Sequence, residues 1–140
     1  MRTRPASAEY VLQRAASLEQ RVLIVDDEVG ICWALDHFLR RGGSTVTTTA
    51  SAAEALALLD QRSFAVVFVD AKLPDLDGLE FAALARQKAP EIFIVLISGY
   101  LDSEDSLVVE GMRKRLFDHF MAKPFDLREV RRITQQAFKT

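Results

Sequence analysis

Four apolar runs in this chain each end on a chemically reactive side chain. Val22-Leu23-Ile24-Val25 runs into Asp26-Asp27, and Ala65-Val66-Val67-Phe68-Val69 runs into Asp70. Ile92-Phe93-Ile94-Val95-Leu96-Ile97 stops at Ser98, and Phe120-Met121-Ala122 stops at Lys123, with Pro124 next. Parallel strands buried on both faces read as such continuous apolar runs. In open sheets of that kind, ligands sit just beyond the carboxyl ends of the strands. Three acids, a hydroxyl and an amine, scattered along the chain, are therefore predicted to converge on one crevice.

The intervening segments fit βαβ units around a parallel sheet. Ile31, Leu35, Phe38 and Leu39 share one helical face, and Gly42-Gly43 can stop that helix. The threonine-rich stretch Ser44 to Ala50 reads as a short strand. Ser51 with Glu54 forms a capping box for a helix to about Gln61. A loop carrying Pro74 leads to a helix from about Gly78 to Lys88, stopped before Pro90. Asp102 to Asp105 opens another helix, and Asp126 with Glu129 caps a last one. Five strands and five helices in alternation are expected, with residues 1–20 as an N-terminal extension and 21–140 as the domain. Tyr10, Val11, Leu12, Ala15 and Leu18 could give that extension one weak amphipathic face, as an extra docking helix or as a frayed leader. Trp33, His37 and Arg40 lie opposite the core stripe of the first helix, where an outward tryptophan either calls for cover or is only partly exposed.

Bulk properties exclude several classes. A chain of 140 residues holds one domain with a real core. A net charge of -2 gives no general attraction to nucleic acid or an anionic membrane. One cysteine excludes an internal disulfide, and no apolar stretch nears the ~20 residues of a membrane helix. Arg2 and Arg4 are not followed by an apolar segment, so no secretory signal is read there, and a cytoplasmic protein is the default.

The crevice has a definite electrostatic problem. Carboxylates within ~5 Å of one another repel by ~3 kcal/mol per ionised pair at an effective dielectric near 20. Either one carboxyl takes a proton or a cation enters. Oxygen donors without histidine or cysteine favour Mg²⁺ or Mn²⁺. Lys123 would complete a site for a dianionic group, Ser98 can donate to a phosphoryl oxygen, and Gly99 leaves room for its approach. Each piece alone reads as a solvated charge, a cap or a turn. Asp27 and Glu28, for instance, could serve the first helix as caps. The constellation is what is specific.

Val25-Asp26-Asp27-Glu28, Val69-Asp70, Leu73-Pro74 with Asp77-Gly78, Ser98-Gly99-Tyr100 and Lys123-Pro124-Phe125 together resemble the receiver domain of two-component response regulators. The resemblance covers roughly residues 21–139. It implies a flavodoxin-like, doubly wound five-stranded parallel sheet of order 2-1-3-4-5, as in chemotaxis regulators. It also implies roles. Asp70 would be the phosphoacceptor for a histidine kinase or phosphotransfer protein. Asp27, Asp70 and the Lys72 backbone carbonyl would bind Mg²⁺, with Asp26 acting mainly through water. Ser98, Gly99 and Lys123 would receive the phosphoryl group, Phe120 would be the rotating aromatic of the switch, and the Lys123–Pro124 bond would be cis. The implied protein is a signalling switch rather than a turnover enzyme. It would address a downstream protein or a linked output domain through the face made by the fourth helix, fifth strand and last helix, the family's common dimer surface. No nucleic-acid or membrane binding by this domain is implied.

The segment from Ser98 to Lys123 departs from the family pattern. It is about one helical turn longer. The glycine that often ends the fourth helix is replaced by Leu116 or Phe117, while Gly111 falls inside the helix and weakens it. An irregular or mobile fourth helix with a basic end, Arg113-Lys114-Arg115, is expected. Arg128, Arg131 and Arg132 are expected either to pair on the dimer face or to be solvated. Two other readings compete. Asp75-Leu76-Asp77-Gly78 superficially resembles the nucleophile motif of haloacid dehalogenase phosphatases, although Pro74 separates it from the strand. The third reading is a binding module that no longer takes phosphate.

Overall fold

The computed structural model of the protein describes residues 20–138. The expected N-terminal extension therefore lies, but for Gln20, outside the described residues. The apolar runs become strands β1 (Arg21–Val25), β3 (Val66–Asp70), β4 (Phe93–Ser98) and β5 (His119–Ala122), and the threonine-rich segment becomes β2 (Thr45–Thr49). They pair in parallel in the order β2-β1-β3-β4-β5. Between and after them run α1 (Val29–Arg41), α2 (Ala52–Gln61), α3 (Gly78–Lys88), α4 (Ser106–Arg113) and α5 (Leu127–Phe138). This is the doubly wound, flavodoxin-like arrangement that the sequence implied.

Strand periodicity explains the two-sided core. Leu23, Val25, Val67, Val69, Ile94 and Leu96 face one side, where Ala52, Ala55 and Leu59 of α2, Phe81, Ala82 and Ala85 of α3 and Val108 of α4 cover them. Their neighbours Val22, Ile24, Val66, Phe68, Val95 and Ile97 face the other side, under Leu35 and Leu39 of α1 and Val130 and Ile133 of α5. All four apolar residues of β1 are fully buried. Each such side chain contributes about 1.5–3 kcal/mol of transfer free energy. A one-residue slip of β1 would draw Asp26 into the place of Val25 in the core or push Val25 out of it, so register is firmly specified. That register sets Val25 beside Val69, Asp70 beside Ile97, and Ser98 beside Ala122. The reactive residues come level because the strands do.

Side-chain caps fix where four helices begin. Ser51 accepts from the Glu54 amide, Asp77 from Leu79, Asp105 from Leu107 and Asp126 from Arg128, each at 2.7–3.1 Å. Asp75 reaches across from the β3–α3 loop and accepts from Ala52 and Ala53 at 2.9 and 3.0 Å. These two bonds hold its carboxyl below the usual carboxylate range. The acids of the phosphatase-like motif are thus occupied at helix starts. Gly78 is required by close approach: a Cβ there would lie 2.3 Å from the Asp70 carbonyl oxygen and 2.6 Å from Ala71 Cα. Those are backbone atoms and cannot step aside.

Trp33 is outward, as expected, with 67% of its surface exposed. His37 stacks on it at 5.0 Å between centroids, 5° from parallel, and covers one face. Arg131 is exposed, and its guanidinium lies 5.3 Å over the Phe38 ring. Arg128 pairs with Asp126 beside it.

The expectation of an irregular fourth helix is corrected. The helix is short and regular, and it ends in a Schellman motif. The Leu116 amide bonds to Gly111 O at 2.9 Å and the Arg115 amide to Met112 O at 3.1 Å. Arg115, with φ of 60°, takes the left-handed position that glycine usually fills, so it is Arg115 rather than Leu116 or Phe117 that replaces the missing glycine. Gly111 has a packing reason. A Cβ there would meet Phe117 Cε1 at 2.3 Å, and Phe117 is 1% exposed. The Arg86 guanidinium then ties the helix end down, donating to Arg115 O at 3.2 Å and to Asp118 Oδ2 at 2.7 Å. Opposite effects of two substitutions test this account by urea denaturation. Gly111→Ala should lose about 1–3 kcal/mol through overpacking, despite a helix-propensity gain near 1 kcal/mol. Arg115→Gly should gain up to about 1 kcal/mol by relieving the left-handed backbone. Stabilisation by Gly111→Ala would contradict the packing argument.

Candidate phosphoryl and cation site

The ends of β1, β3, β4 and β5 meet at one edge of the sheet. The Asp26 amide is held by Thr49 O at 3.0 Å, and the Lys123 amide by Ser98 O at 2.7 Å. These ladder extensions aim the side chains that follow. Carboxylate oxygens of Asp26, Asp27 and Asp70 all lie within 4.8 Å of one another. Asp26 and Asp70 are buried, while Asp27 is exposed. The Lys123 ammonium stands 3.1 Å from Asp26 Oδ2 and 3.1 Å from Asp70 Oδ2. An open cleft of about 380 Å³ lies outside, bounded in part by Asp27, Asp70, Gly99, Tyr100 and Lys123.

Burial pushes the Asp26 carboxyl up to about 6, and the Asp70 charge adds to the effect; the Glu28 amide and Lys123 oppose it. Asp26 Oδ1 accepts from that amide at 2.9 Å. Oδ2 is a buried oxygen that accepts no hydrogen bond among the described residues. Its cationic neighbour there is the Lys123 ammonium at 3.1 Å, which draws the carboxyl pKa back down. Asp70 uses Oδ1 to accept from the Lys72 amide at 3.1 Å and Oδ2 to accept from Lys123 at 3.1 Å. Burial alone would lower the Lys123 pKa, but the surrounding carboxylates outweigh it and raise the pKa, so the amine stays charged.

This chemistry fits a hard divalent ion. The donors are all oxygen, one of them a buried Asp26 oxygen whose charged partner is the shared Lys123 ammonium, and one ammonium does not balance three carboxylates. Lys72 sits two residues after Asp70, on the cleft wall, with its amide on the Asp70 carboxylate. A methyl group at Gly99 would meet nothing nearer than the Lys123 side chain at 3.8 Å. The space there is therefore open for a ligand rather than needed by the protein.

Ser98 is less available than the sequence implied. It is fully buried, and its hydroxyl oxygen accepts from the Tyr100 and Leu101 amides at 3.1 and 2.8 Å. Its own proton is left to donate. Phe120 is half-buried against the α2–α3–α4 side of the core. The Lys123–Pro124 peptide is cis. Sequence reasoning missed two residues. Glu28 occupies the N-cap position of α1 yet makes no side-chain cap bond, and its carboxylate goes to Lys123 instead. Asp75 ties the loop after Asp70 to α2. Neither carried a sequence signal beyond its charge, since both partners are remote in the chain. A larger concavity of about 1070 Å³ lies by the amino ends of β3 and β4, far from the acid cluster.

Comparison with known proteins agrees with this geometry. HoxA, a hydrogenase transcriptional regulatory protein of Cupriavidus necator, is 38% identical over 104 residues, covering 74% of this chain and 21% of that protein. The DNA-binding transcriptional regulator NtrC of Escherichia coli K12 is 29% identical over 116 residues, covering 83% of this chain and 24% of that one. This chain thus spans about a quarter or less of the length of these curated relatives. The structure of response regulator protein TrrA from Thermotoga maritima, in complex with Mg²⁺-BeF, superposes with a TM-score of 0.73 at 26% identity, covering 84% of this chain and 98% of that one. The response regulator receiver domain family matches residues 22–135. Through that match, and with the acids gathered where the fold places them, the chain belongs to the receiver domain family of two-component response regulators.

Proposed function

We propose that Asp70 is the phosphoacceptor of this receiver domain, loaded by a histidine kinase or phosphotransfer protein. One observation carries the reading: Asp70 is held at the mouth of the cleft between the Lys123 ammonium and the other two acids. In the transfer, a carboxylate oxygen of Asp70 bonds to phosphorus as the bond from phosphorus to the donor's leaving group breaks. The leaving group, imidazole or acetate, departs with the electron pair. Such transfers depend on positioning and charge neutralisation more than on covalent help. Asp27, Asp70 and the Lys72 carbonyl would hold Mg²⁺ (or Mn²⁺), with Asp26 acting through water, and the ion would neutralise charge on the acids and the phosphoryl oxygens. Lys123 then takes one phosphoryl oxygen and the Ser98 hydroxyl donates to another. Because the hydroxyl is fully buried, it has to move to reach that oxygen, and the movement strains its bonds to the Tyr100 and Leu101 amides and loosens the start of the β4–α4 loop. Phe120 follows by repacking, and the α4–β5–α5 face changes for a downstream protein or a linked output domain. Near-complete switching needs a differential of about 5.5 kcal/mol. Among the described residues no helix is long and apolar enough to cross a membrane.

Incubation with acetyl phosphate and Mg²⁺ should add one phosphoryl group by intact mass, and the adduct should be absent from Asp70→Asn. An adduct that survives in Asp70→Asn would overturn the assignment, and sustained phosphomonoester hydrolysis would revive the phosphatase reading. A second prediction concerns pH. The Asp26 pKa stands at about 6 in the folded chain, above its ordinary 3.8. Between these values the folded state binds more protons than the unfolded state, so stability falls as pH rises through that window. The Asp26 share should be on the order of 2–3 kcal/mol. Urea midpoints at low ionic strength should fall between pH 4 and 7 in the wild type, less so in Asp26→Asn, and Mg²⁺ should restore the wild type at pH 7. An identical pH profile in the two proteins would contradict this.

A further inference from the structure

Lys123 faces one carboxylate more than the site requires. Its ammonium has three protons and no acceptor. Besides Asp26 and Asp70, it lies still closer to Glu28 Oε1, which accepts its hydrogen bond. The three carboxylates differ sharply in exposure. The side chains of Asp26 and Asp70 are 1% and 8% exposed, whereas that of Glu28 is 57% exposed. Breaking a buried pair leaves a charge without water, while releasing an exposed carboxylate returns it to solvent at little cost. Glu28 is also free of other duties at its position, since its side chain makes no cap bond on α1.

We infer that Glu28 is a positioning residue acting through Lys123: a displaceable counter-ion that aims the amine over the cleft in the empty state and yields it when an anionic phosphoryl group arrives. The inference rests on the phosphoacceptor reading above and deepens it. Its sign follows from the pairing. Glu28 holds Lys123 in the empty state only, so it opposes loading, and its negative charge beside the incoming anion acts in the same direction. Removing that charge should therefore strengthen anion binding, whereas loss of a merely structural residue would weaken it. An ion pair whose carboxylate half is open to solvent supports an effect of roughly 2- to 5-fold.

The test is a beryllofluoride titration of the full chain at saturating Mg²⁺, followed by fluorine NMR. Glu28→Gln should bind beryllofluoride about 2- to 5-fold more tightly than wild type. In a Lys123→Met background, where the amine is gone, the same Glu28→Gln change should give most of that gain no longer, because the effect runs through the amine. Equal or weaker binding by Glu28→Gln overturns the inference. So does an undiminished gain in the Lys123→Met background, which would mark a general charge effect. Wild-type protein that takes up no beryllofluoride sinks the phosphoacceptor reading and this inference with it. Wild-type uptake without the Glu28→Gln gain sinks this inference alone.

Discussion

A carboxylate forced out of water at the end of β1 is the constraint on which the rest of the site depends. Asp26 is 2% exposed, with one oxygen on the Glu28 amide and the other facing the Lys123 ammonium at 3.1 Å. Nothing about the acid itself favours that place. It is carried there by four fully buried apolar residues before it, whose burial outweighs the electrostatic cost. The same sheet register delivers Asp70 from β3 and Lys123 from β5. The protein thus uses core free energy to hold a group of like charges together, leaving a surplus of negative charge that one ammonium does not cancel. A site of that kind responds strongly to any added cation or anion.

The surroundings limit how that response can spread. Gly78 presses the start of α3 against the Asp70 and Ala71 backbone, and Asp75 pins the intervening loop to α2. That side of the site is fixed. The β4 side is held more lightly, by the Ser98 hydroxyl accepting two amides of the loop that leads to α4. At its far end α4 is anchored by Phe117 against Gly111 and by Arg86 on Arg115 and Asp118. In the proposed phosphorylation, charge arriving at Lys123 and Ser98 would bear on the start of α4, while its end stays tied to α3 and β5. A local electrostatic event has one soft element to act on.

The fold was legible in the sequence because its central strands are buried on both faces and four of its helices open on short polar caps. Both signals are local. The acid cluster was legible for the same reason, since strand ends in a parallel sheet converge by topology. What escaped were pairings between residues remote in the chain. Glu28 reads as an N-terminal helix charge, and only the position of β5 shows that its partner is Lys123. Gly111 reads as a helix breaker until Phe117 is seen lying where its side chain would be. The end of α4 was misjudged because arginine rarely takes the left-handed position, and its cost there is borne by two backbone hydrogen bonds and the Arg86 clamp.

If the three acids and Lys123 form one cation-dependent centre, crystals soaked in Mn²⁺ and recorded at the manganese absorption edge should show one strong anomalous peak between Asp27 and Asp70, at oxygen-ligand distance, with the Lys123 amine beside it. A map without a peak there, or with the ion bound only elsewhere on the surface, would show that these acids do not gather around a cation.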